Sequence, residues 1–525
     1  MTAMPSRPDR HVATRLWSVR LLWAAVAVVA GFQMSWGGVA GLCLANDDLK
    51  FVRLPERELP LAEALGVAWR TQPSFRPLEV VMAHLSDPVS LSCPWVVPVQ
   101  AAGLVALLLA TLALARASLP RHQLLWPVAL LMVLLSPATT ASLWQMDACS
   151  QTWSAALGAW SARLAWRWLD GCASGQSPWR ALAALCATMA VGLTVKENFY
   201  GWALGLAAAS VFMCVRAFTR DRSAGWRMAW VSIPVIAVPL AHLACRWRWS
   251  ALSGLMGGSG EESRYQAEFG TNLLVNAAVS LAGAVGVGPF HLVLDPDASM
   301  ALRALPAVAT CMMIGLILLG VGLAASDRAA ASGVRWSALW VAALASVGSL
   351  AATIPMPAVS ELYGLGANVG GALLAAAAAS ALWHASDAVL RRPARAALML
   401  LLASVSAIGT YGLASRAGHF CVVWSAVRTM NHAIVSFQPT LAAARPGDAS
   451  AAGMVHVPTS CLVGTTHSQY VMPPLQVLDL NLTEEWLARR DPTRRIVFSI
   501  GTSPRKPRPN ELVLDCAALP QHGHW

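Results

Sequence analysis

The chain has 525 residues, of which 56% are hydrophobic and only 12% are charged, and its mean hydropathy is +0.53. A soluble protein carries roughly twice that share of charged residues, so the composition predicts a helical protein that crosses a membrane many times. The net charge of +11 does not indicate a nucleic-acid partner, because the arginines gather in short loops between apolar runs.

The first apolar run, residues 16–36, is long enough to cross a bilayer and too long for the apolar part of a signal peptide, so we interpret it as an uncleaved anchor. A polar segment, residues 45–53, follows it directly. Asp47 and Asp48 are therefore expected at the membrane surface, where a lipid head group lies. The alternative is a solvated loop in which Asn46 and Asp47 cap a short helix.

Further runs of spanning length alternate with arginine-bearing loops up to residue 245. The runs cover residues 94–115, 124–143, 149–168, 179–195, 199–218 and 226–245. The loops expected in the cytoplasm carry Arg116, Arg121, Arg163, Arg167, Arg180, Arg216, Arg220, Arg222 and Arg227. Because basic loops stay on the cytoplasmic side, this pattern predicts a cytoplasmic N-terminus and an external loop at Asp47.

The apolar stretch 272–294 is interrupted by three glycines and by Pro289. A single crossing there would put the arginine-rich loop 386–395 outside, whereas a re-entrant or double-pass stretch keeps it inside, and we prefer the latter. Spans at 305–325, 337–354, 362–383 and 396–414 complete the pattern. The prediction is an all-α polytopic membrane domain of about 11 to 13 transmembrane helices over residues 1–415, with outer loops at 37–93 and 246–271.

From Arg416 the composition changes, and short strand-like runs occur between connections rich in proline and arginine. These runs cover residues 454–457, 475–480, 496–500 and 512–514. We therefore predict a small α/β domain over residues 416–525, outside the cytoplasm. Cys461 and Cys516 could pair there in an oxidising compartment, although Cys421 leaves an odd count.

Several polar residues are expected to share the outer side of the membrane. The chain contains only three lysines, and Lys196 stands with Glu197 at the end of a span, where a charged pair indicates either a functional site or an interfacial anchor. Arg76 precedes Pro77 in the first outer loop and could hold a phosphate with two hydrogen bonds, or could be a surface arginine. Asp147, Tyr265 and Tyr363 are the further candidates, with helix capping and interfacial aromatic positions as the alternatives.

The order and common side of these short motifs resemble the GT-C superfamily of membrane glycosyltransferases, which includes protein O-mannosyltransferases, aminoarabinose transferases and oligosaccharyltransferases. The resemblance extends over residues 16–383. It comprises Asn-Asp-Asp at 46–48, Phe-Arg-Pro-Leu at 75–78, Lys-Glu at 196–197, Tyr265 with Asn272 and Asn276, and Ser-Glu-Leu-Tyr at 360–363.

The resemblance implies a GT-C-like fold and an inverting hexosyltransferase-like enzyme that takes a sugar from a polyprenyl-phosphate donor. It implies Asp47 or Asp48 as the catalytic base. Basic residues then hold the donor phosphate, and these are Arg76, Lys196 and Arg264. Substrate-binding roles fall to Asp147, Glu197, Tyr265, Glu361 and Tyr363. A divalent metal is compatible with this chemistry, but the sequence shows no ligand set, so the metal and cofactor stay unknown.

We therefore expect an inner-membrane, multi-pass glycosyltransferase with a periplasmic active site, whose partners are the polyprenyl-linked donor and membrane lipid. The acceptor would be an envelope glycan, lipid or protein. A transporter or lipid flippase is one alternative, since it also needs broken helices and polar residues within spans. A noncatalytic envelope-assembly protein on the same fold is another.

Overall fold

The computed structural model describes residues 10–39, 59–71, 77–86, 94–143, 148–176, 179–196, 198–249, 270–288, 298–326, 333–351, 354, 361–384, 388–437, 453–458, 496–500 and 511–514. Helices dominate these ranges, and a small sheet follows them. Seven of the described helices are long and apolar enough to cross a membrane, and four shorter apolar helices accompany them. The protein is thus mainly α and has the composition of a polytopic membrane protein, as predicted, while the number of crossings stays a prediction.

The helices follow the predicted spans closely, and two of them, α8 and α9, have the predicted bounds. The helices are α1 (Arg10–Val39), α2 (Leu61–Thr71), α3 (Pro77–His84), α4 (Val96–Ser118), α5 (Leu125–Leu135), α6 (Pro137–Ser142), α7 (Cys149–Ala173), α8 (Trp179–Val195), α9 (Phe199–Phe218), α10 (Arg222–Trp249), α11 (Thr271–Val285), α12 (Met300–Ser326), α13 (Trp336–Gly348), α14 (Leu365–Trp383) and α15 (Ala388–Ser436). A 3-10 helix, Glu361–Gly364, precedes α14.

The loops after α4 and α14 and the loop before α13, all predicted to be cytoplasmic, come together at one end of the helix bundle, which we call the arginine-rich end. The backbone N–H of Arg335, before α13, donates to the carbonyl of Ser118 at the end of α4, at 2.7 Å. The rings of His122 and His384, which follow α4 and α14, lie 4.4 Å apart between centroids. Helices α4, α7, α12 and α14 therefore end at the arginine-rich end, and α5, α13 and α15 begin there.

Small residues allow the helices to approach closely in the centre of the bundle. Helix α14 is buried along nearly its whole length, and an added Cβ at Gly320 of α12 would lie 2.4 Å from Ala378. Gly201 and Gly205 of α9 face α13 in the same way, where an added Cβ would lie 2.6 Å and 2.5 Å from backbone oxygens. Such spacing lets backbones pack directly where lipid offers no hydrophobic driving force between helices.

A single span was expected over residues 124–143, but the chain forms two helices that join at Ser136. Pro137 has no N–H for the preceding turn, and the Ser136 hydroxyl accepts from the Ala138 N–H to cap α6. The last carbonyls of α5 are bonded by side chains instead. Val133 O accepts from Thr139 Oγ1, Leu134 O from Gln33 Nε2 and Leu135 O from Arg416 Nη2.

Arg416 is completely buried at this helix end, although it was predicted as the first residue of the outer domain. Its guanidinium also donates to Gly288 O and to Thr140 Oγ1. A cation beside the C-terminus of α5 complements the partial negative charge that a helix carries there. The described helix α15 continues through this position to Ser436.

Helix α11 is bonded through its middle and its last turn to the end of the bundle opposite the arginines, which we call the opposite end. Asn276 of α11 donates to Ile354 O, which follows α13, and the last turn of α11 accepts at Ala284 O from Asn368 in the first turn of α14. A helix of 15 residues extends only about 22 Å, less than the hydrocarbon core of a bilayer. This arrangement agrees with the re-entrant alternative for residues 272–294, of which 289–294 lie outside the described ranges.

The described strands form a parallel three-stranded sheet in the order β2-β1-β3. The strands are β1 (Gly453–Val457), β2 (Ile496–Ile500) and β3 (Glu511–Val513), and β1 pairs with both neighbours. Three of the four predicted strand runs are confirmed to within one residue. The fourth run, 475–480, and the cysteines Cys461 and Cys516 lie outside the described residues.

Candidate functional site at the opposite end

Most of the predicted site residues fall outside the residues that the structure describes. These are Asp47, Asp48, Arg76, Asp147, Glu197, Arg264 and Tyr265. Glu361 is described only as backbone of the 3-10 helix, whereas Lys196 and Tyr363 are described with their side chains. The roles assigned to all ten residues therefore stay predictions, and the described residues around them form the candidate site.

Helices α2 and α3 form a short hairpin within the predicted first outer loop. Pro77 begins α3, as suits a residue with a fixed φ and no N–H, and the buried side chains of Ala64, Ala68 and Val80 pack together between the two helices. His84 closes the hairpin, since its ring nitrogens lie 3.0 Å from Val80 O and 3.2 Å from Leu59 O. The hairpin is thus a compact unit that follows the segment containing Asp47 and Asp48.

A buried chain of hydrogen bonds holds this hairpin against the bundle. Lys196 Nζ donates to Ser150 Oγ at 3.2 Å, and Ser150 Oγ donates to Glu79 Oε1 at 2.7 Å. Glu79 and Ser150 are fully buried, and Lys196 is 3% exposed. Buried charged groups are costly unless they are hydrogen-bonded and near an opposite charge, and this chain supplies both conditions. It joins α3, the start of α7 and the connection between α8 and α9.

The local sequence explains how Lys196 reaches this position. Helix α8 ends at Val195 and α9 begins at Phe199, whose N–H donates to Lys196 O at 3.0 Å, so the connection is very tight. Asn198 in the same connection donates to Gln151 Oε1 at 2.9 Å. The first turn of α7 therefore contacts both described polar residues of the connection. It also presents the positive end of a helix near the Glu79 carboxylate.

A second set of contacts fixes the end of α2. Arg246 Nη1 donates to Trp69 O at 2.8 Å, and its guanidinium lies 4.8 Å from the Trp69 ring centroid. His242 packs edge-on against Trp69, and its Nδ1 lies 2.7 Å from the Tyr200 hydroxyl oxygen. Cation–π and hydrogen-bonding contacts of this kind favour one orientation of the hairpin over the ends of α9 and α10.

Tyr363 and the 3-10 helix Glu361–Gly364 lie at the opposite end as well. This helix packs against α6 and α11, and Tyr363 is partly buried. The described neighbours of the predicted motifs at 75–78, 196–197 and 360–363 are thus found at one end of the bundle. The structure joins Glu79, which follows the first motif, to Lys196 of the second through Ser150.

Sequence reasoning missed Glu79, Ser150, Gln151 and Asn198. Glu79 carries the clearest signal in hindsight, because it is an acid within the otherwise apolar run 78–83 and follows the arginine and proline of the predicted phosphate-binding motif. Within the described residues, no group of three or more His, Cys, Asp or Glu side chains could hold a metal ion. The buried chain and its neighbours on α7 thus consist of a lysine, an acid and neutral hydrogen-bonding groups.

The geometry suits positioning of charge at the edge of an apolar bundle. A lysine ammonium that is held by a serine hydroxyl has a fixed orientation. It can therefore stabilise an anion electrostatically without first reorganising its own side chain.

Comparisons of this chain with models of known families, with curated proteins and with solved structures found no match.

Proposed function

We propose that the protein is an integral membrane glycosyltransferase that transfers a sugar from a polyprenyl-phosphate donor to an envelope acceptor at the opposite end of the bundle. The observation that supports this most is the hydrogen-bonded chain from Glu79 through Ser150 to Lys196. This chain of hydrogen bonds ties α3, which follows Arg76, to Lys196. Arg76 and Lys196 are two of the three cations proposed to bind the donor phosphate. The resemblance to GT-C enzymes is the basis for the reaction itself.

In the proposed reaction, the acceptor hydroxyl attacks the anomeric carbon of the donor sugar from the face opposite the phosphate. The bond between the anomeric carbon and the phosphate oxygen breaks, and the phosphate leaves with the electron pair. The centre inverts because attack and departure take place on opposite faces, and Asp47 or Asp48 takes the hydroxyl proton. Arg76, Lys196 and Arg264 offset the negative charge that grows on the departing phosphate.

The burial of Lys196 gives it a specific part in this scheme. With 3% of its surface exposed, it acts on the donor phosphate from beneath the hairpin rather than as a freely mobile surface cation. A cation in such a water-poor setting interacts more strongly with an anion than one in bulk water. Ser150 would orient the ammonium and Glu79 would fix the Ser150 hydroxyl as its acceptor, which makes both of them positioning residues.

The test compares envelope glycans and lipid-linked sugars by mass spectrometry in a deletion strain. The strain is complemented with the wild type, with Asp47→Asn/Asp48→Asn, or with Glu63→Gln as a matched control. Glu63 is an exposed acid of α2 at the same end of the bundle. We expect loss of one sugar and accumulation of its lipid-linked donor in the double variant only. Normal transfer by the double variant, produced at the wild-type level, would refute the mechanism.

Transport of a lipid-linked substrate is the second candidate, and the interrupted helix at Ser136 favours it because broken helices are typical of transporters. In those proteins the freed backbone groups coordinate the substrate or ion. Here the last carbonyls of α5 already accept hydrogen bonds from Thr139, Gln33 and Arg416, so glycosyl transfer is preferred. An unchanged glycan composition together with a lipid-linked sugar trapped on one side of the membrane would favour transport.

A further inference from the structure

Three arginines and one tryptophan form a cluster at the arginine-rich end, far from the site described above. The guanidinium carbon of Arg163 lies 4.8 Å from the centroid of Trp166, and that of Arg335 lies 5.2 Å from it. Arg167, one turn from Arg163, and Asp170 lie within electrostatic range of Arg163. Among the described residues, the cluster therefore holds three positive charges against one negative charge.

The cluster also contains buried hydrogen-bond donors that no described residue satisfies. Arg163 Nη1, Trp166 Nε1 and Ser118 Oγ are all buried without an acceptor in the described part of the chain. Trp166 as a whole is only 5% exposed. Buried N–H groups are almost always paired in native proteins, so several unpaired donors in one place indicate an acceptor from beyond the described residues.

The chain builds this place from three helices rather than from one exposed stretch. Ser118 ends α4, Arg163 and Trp166 belong to α7, and Arg335 precedes α13 and is fixed by its N–H bond to Ser118 O. Arg335 and Arg167 are exposed, whereas Trp166 is buried and has the guanidinium groups of Arg163 and Arg335 close to its ring. The cluster thus has a buried floor of N–H donors and an exposed cationic rim.

We infer that this cluster binds the phosphate group of an anionic ligand. A phosphate offers several strong acceptor oxygens to planar guanidinium groups, and its charge offsets the excess positive charge of the rim. Basic pockets between membrane helices are typical sites for anionic lipid head groups, and free phosphate has the same chemistry. This inference does not depend on the proposed glycosyl transfer, because the cluster lies at the other end of the bundle.

The test measures binding to the purified full-length protein by native mass spectrometry. The probes are phosphatidylglycerol, zwitterionic phosphatidylcholine, and inorganic phosphate alone. Since each cation near an anionic lipid contributes roughly a fivefold factor in affinity, Arg163→Gln/Arg335→Gln should weaken phosphatidylglycerol binding by roughly 25-fold. Arg180→Gln/Arg220→Gln removes two exposed charges from the same end and serves as the matched control.

A second variant guards against a fold defect in the double arginine variant. Trp166→Phe keeps an aromatic ring for the two guanidinium groups but removes the indole N–H, and about fivefold weaker binding is expected from the loss of one hydrogen bond. Selective loss in these variants with phosphatidylglycerol identifies a lipid ligand, and the same loss with inorganic phosphate identifies free phosphate. Equal loss in both arginine pairs, or equal binding of the two lipids without any binding of phosphate, would overturn the inference.

Discussion

The strongest structural prediction concerns Ser150, which joins Glu79 to Lys196. Ser150→Ala removes one hydrogen bond to an ammonium and one to a carboxylate, both in buried surroundings. A hydrogen bond to a charged group contributes about 1.5 kcal/mol or more, so the loss is about 3 kcal/mol in total. We expect this free energy to be lost from docking of the α2–α3 hairpin, because the carboxylate end of the chain belongs to α3.

A docking equilibrium weakened by about 3 kcal/mol raises the open population of the hairpin by roughly a hundredfold. Cysteine reactivity measures that population. Ala83 is 1% exposed and lies one turn from Glu79 on the same face of α3, so Ala83→Cys places a small thiol on the face that meets the bundle. In permeabilised membranes, a hydrophilic maleimide should label Ala83→Cys/Ser150→Ala much faster than Ala83→Cys alone, after subtraction of the labelling of the parent chain, which lacks this cysteine.

The control for this comparison is Ser326→Ala. Ser326 is exposed at the end of α12, and its hydroxyl donates only to carbonyls of its own helix in the described structure. This change should alter the labelling rate by less than about twofold, as expected for surface substitutions. Equal labelling rates in the Ser150→Ala and Ser326→Ala backgrounds would refute the idea that the buried chain holds the hairpin.

Two further predictions concern packing and pH. Gly205→Val should destabilise the protein by more than about 2 kcal/mol in a thermal assay in detergent, because an added Cβ meets a backbone oxygen at 2.5 Å. Gly322→Val is the control and should not destabilise the protein, since open space surrounds the position of its Cβ. Equal melting temperatures would contradict the close approach of α9 and α13. At the start of α10, hydrogen bonds from Ser223 lower the pKa of Asp221. The Asp221 carboxylate therefore stabilises the start of α10 at pH values above the pKa that this carboxyl has in the unfolded chain. This stabilisation is lost as the pH falls through the lower pKa of the folded state. Hydrogen exchange in the first turn of α10 should increase on acidification in the wild type and not in Asp221→Asn, and identical pH profiles would contradict the assignment.

The hydropathy pattern was sufficient to predict the bounds of helices whose ends coincide with charged or turn-forming residues. Trp179–Val195 and Phe199–Phe218 have the predicted bounds because Lys196 and Asn198 interrupt the apolar run between them. Hydropathy could not show the break at Ser136, since residues on both sides of Pro137 are apolar or small and their average hides a local backbone effect.

The buried polar residues were harder to predict, because their environment depends on distant partners. The local sequence shows Glu79 only as an acid in a short helix. Its burial depends on the hydrogen bond that it accepts from Ser150, 71 positions later in the chain. Arg416 resembled the start of a soluble segment, yet its acceptors lie 281 and 128 positions earlier at Leu135 and Gly288. Periodicity describes one element at a time and has no access to such pairings.

The bonded end of α5 has a consequence for the synthesis of the chain. Leu134 O can be satisfied early, since Gln33 is inserted before α5, but Leu135 O receives its described side-chain donor only from Arg416, 281 residues later. At translation rates of 5–20 residues per second, Leu135 O waits roughly 15 to 55 s for that partner. The translocon or water must solvate the carbonyl during this interval, so closure of the opposite end is among the last steps of assembly at the ribosome.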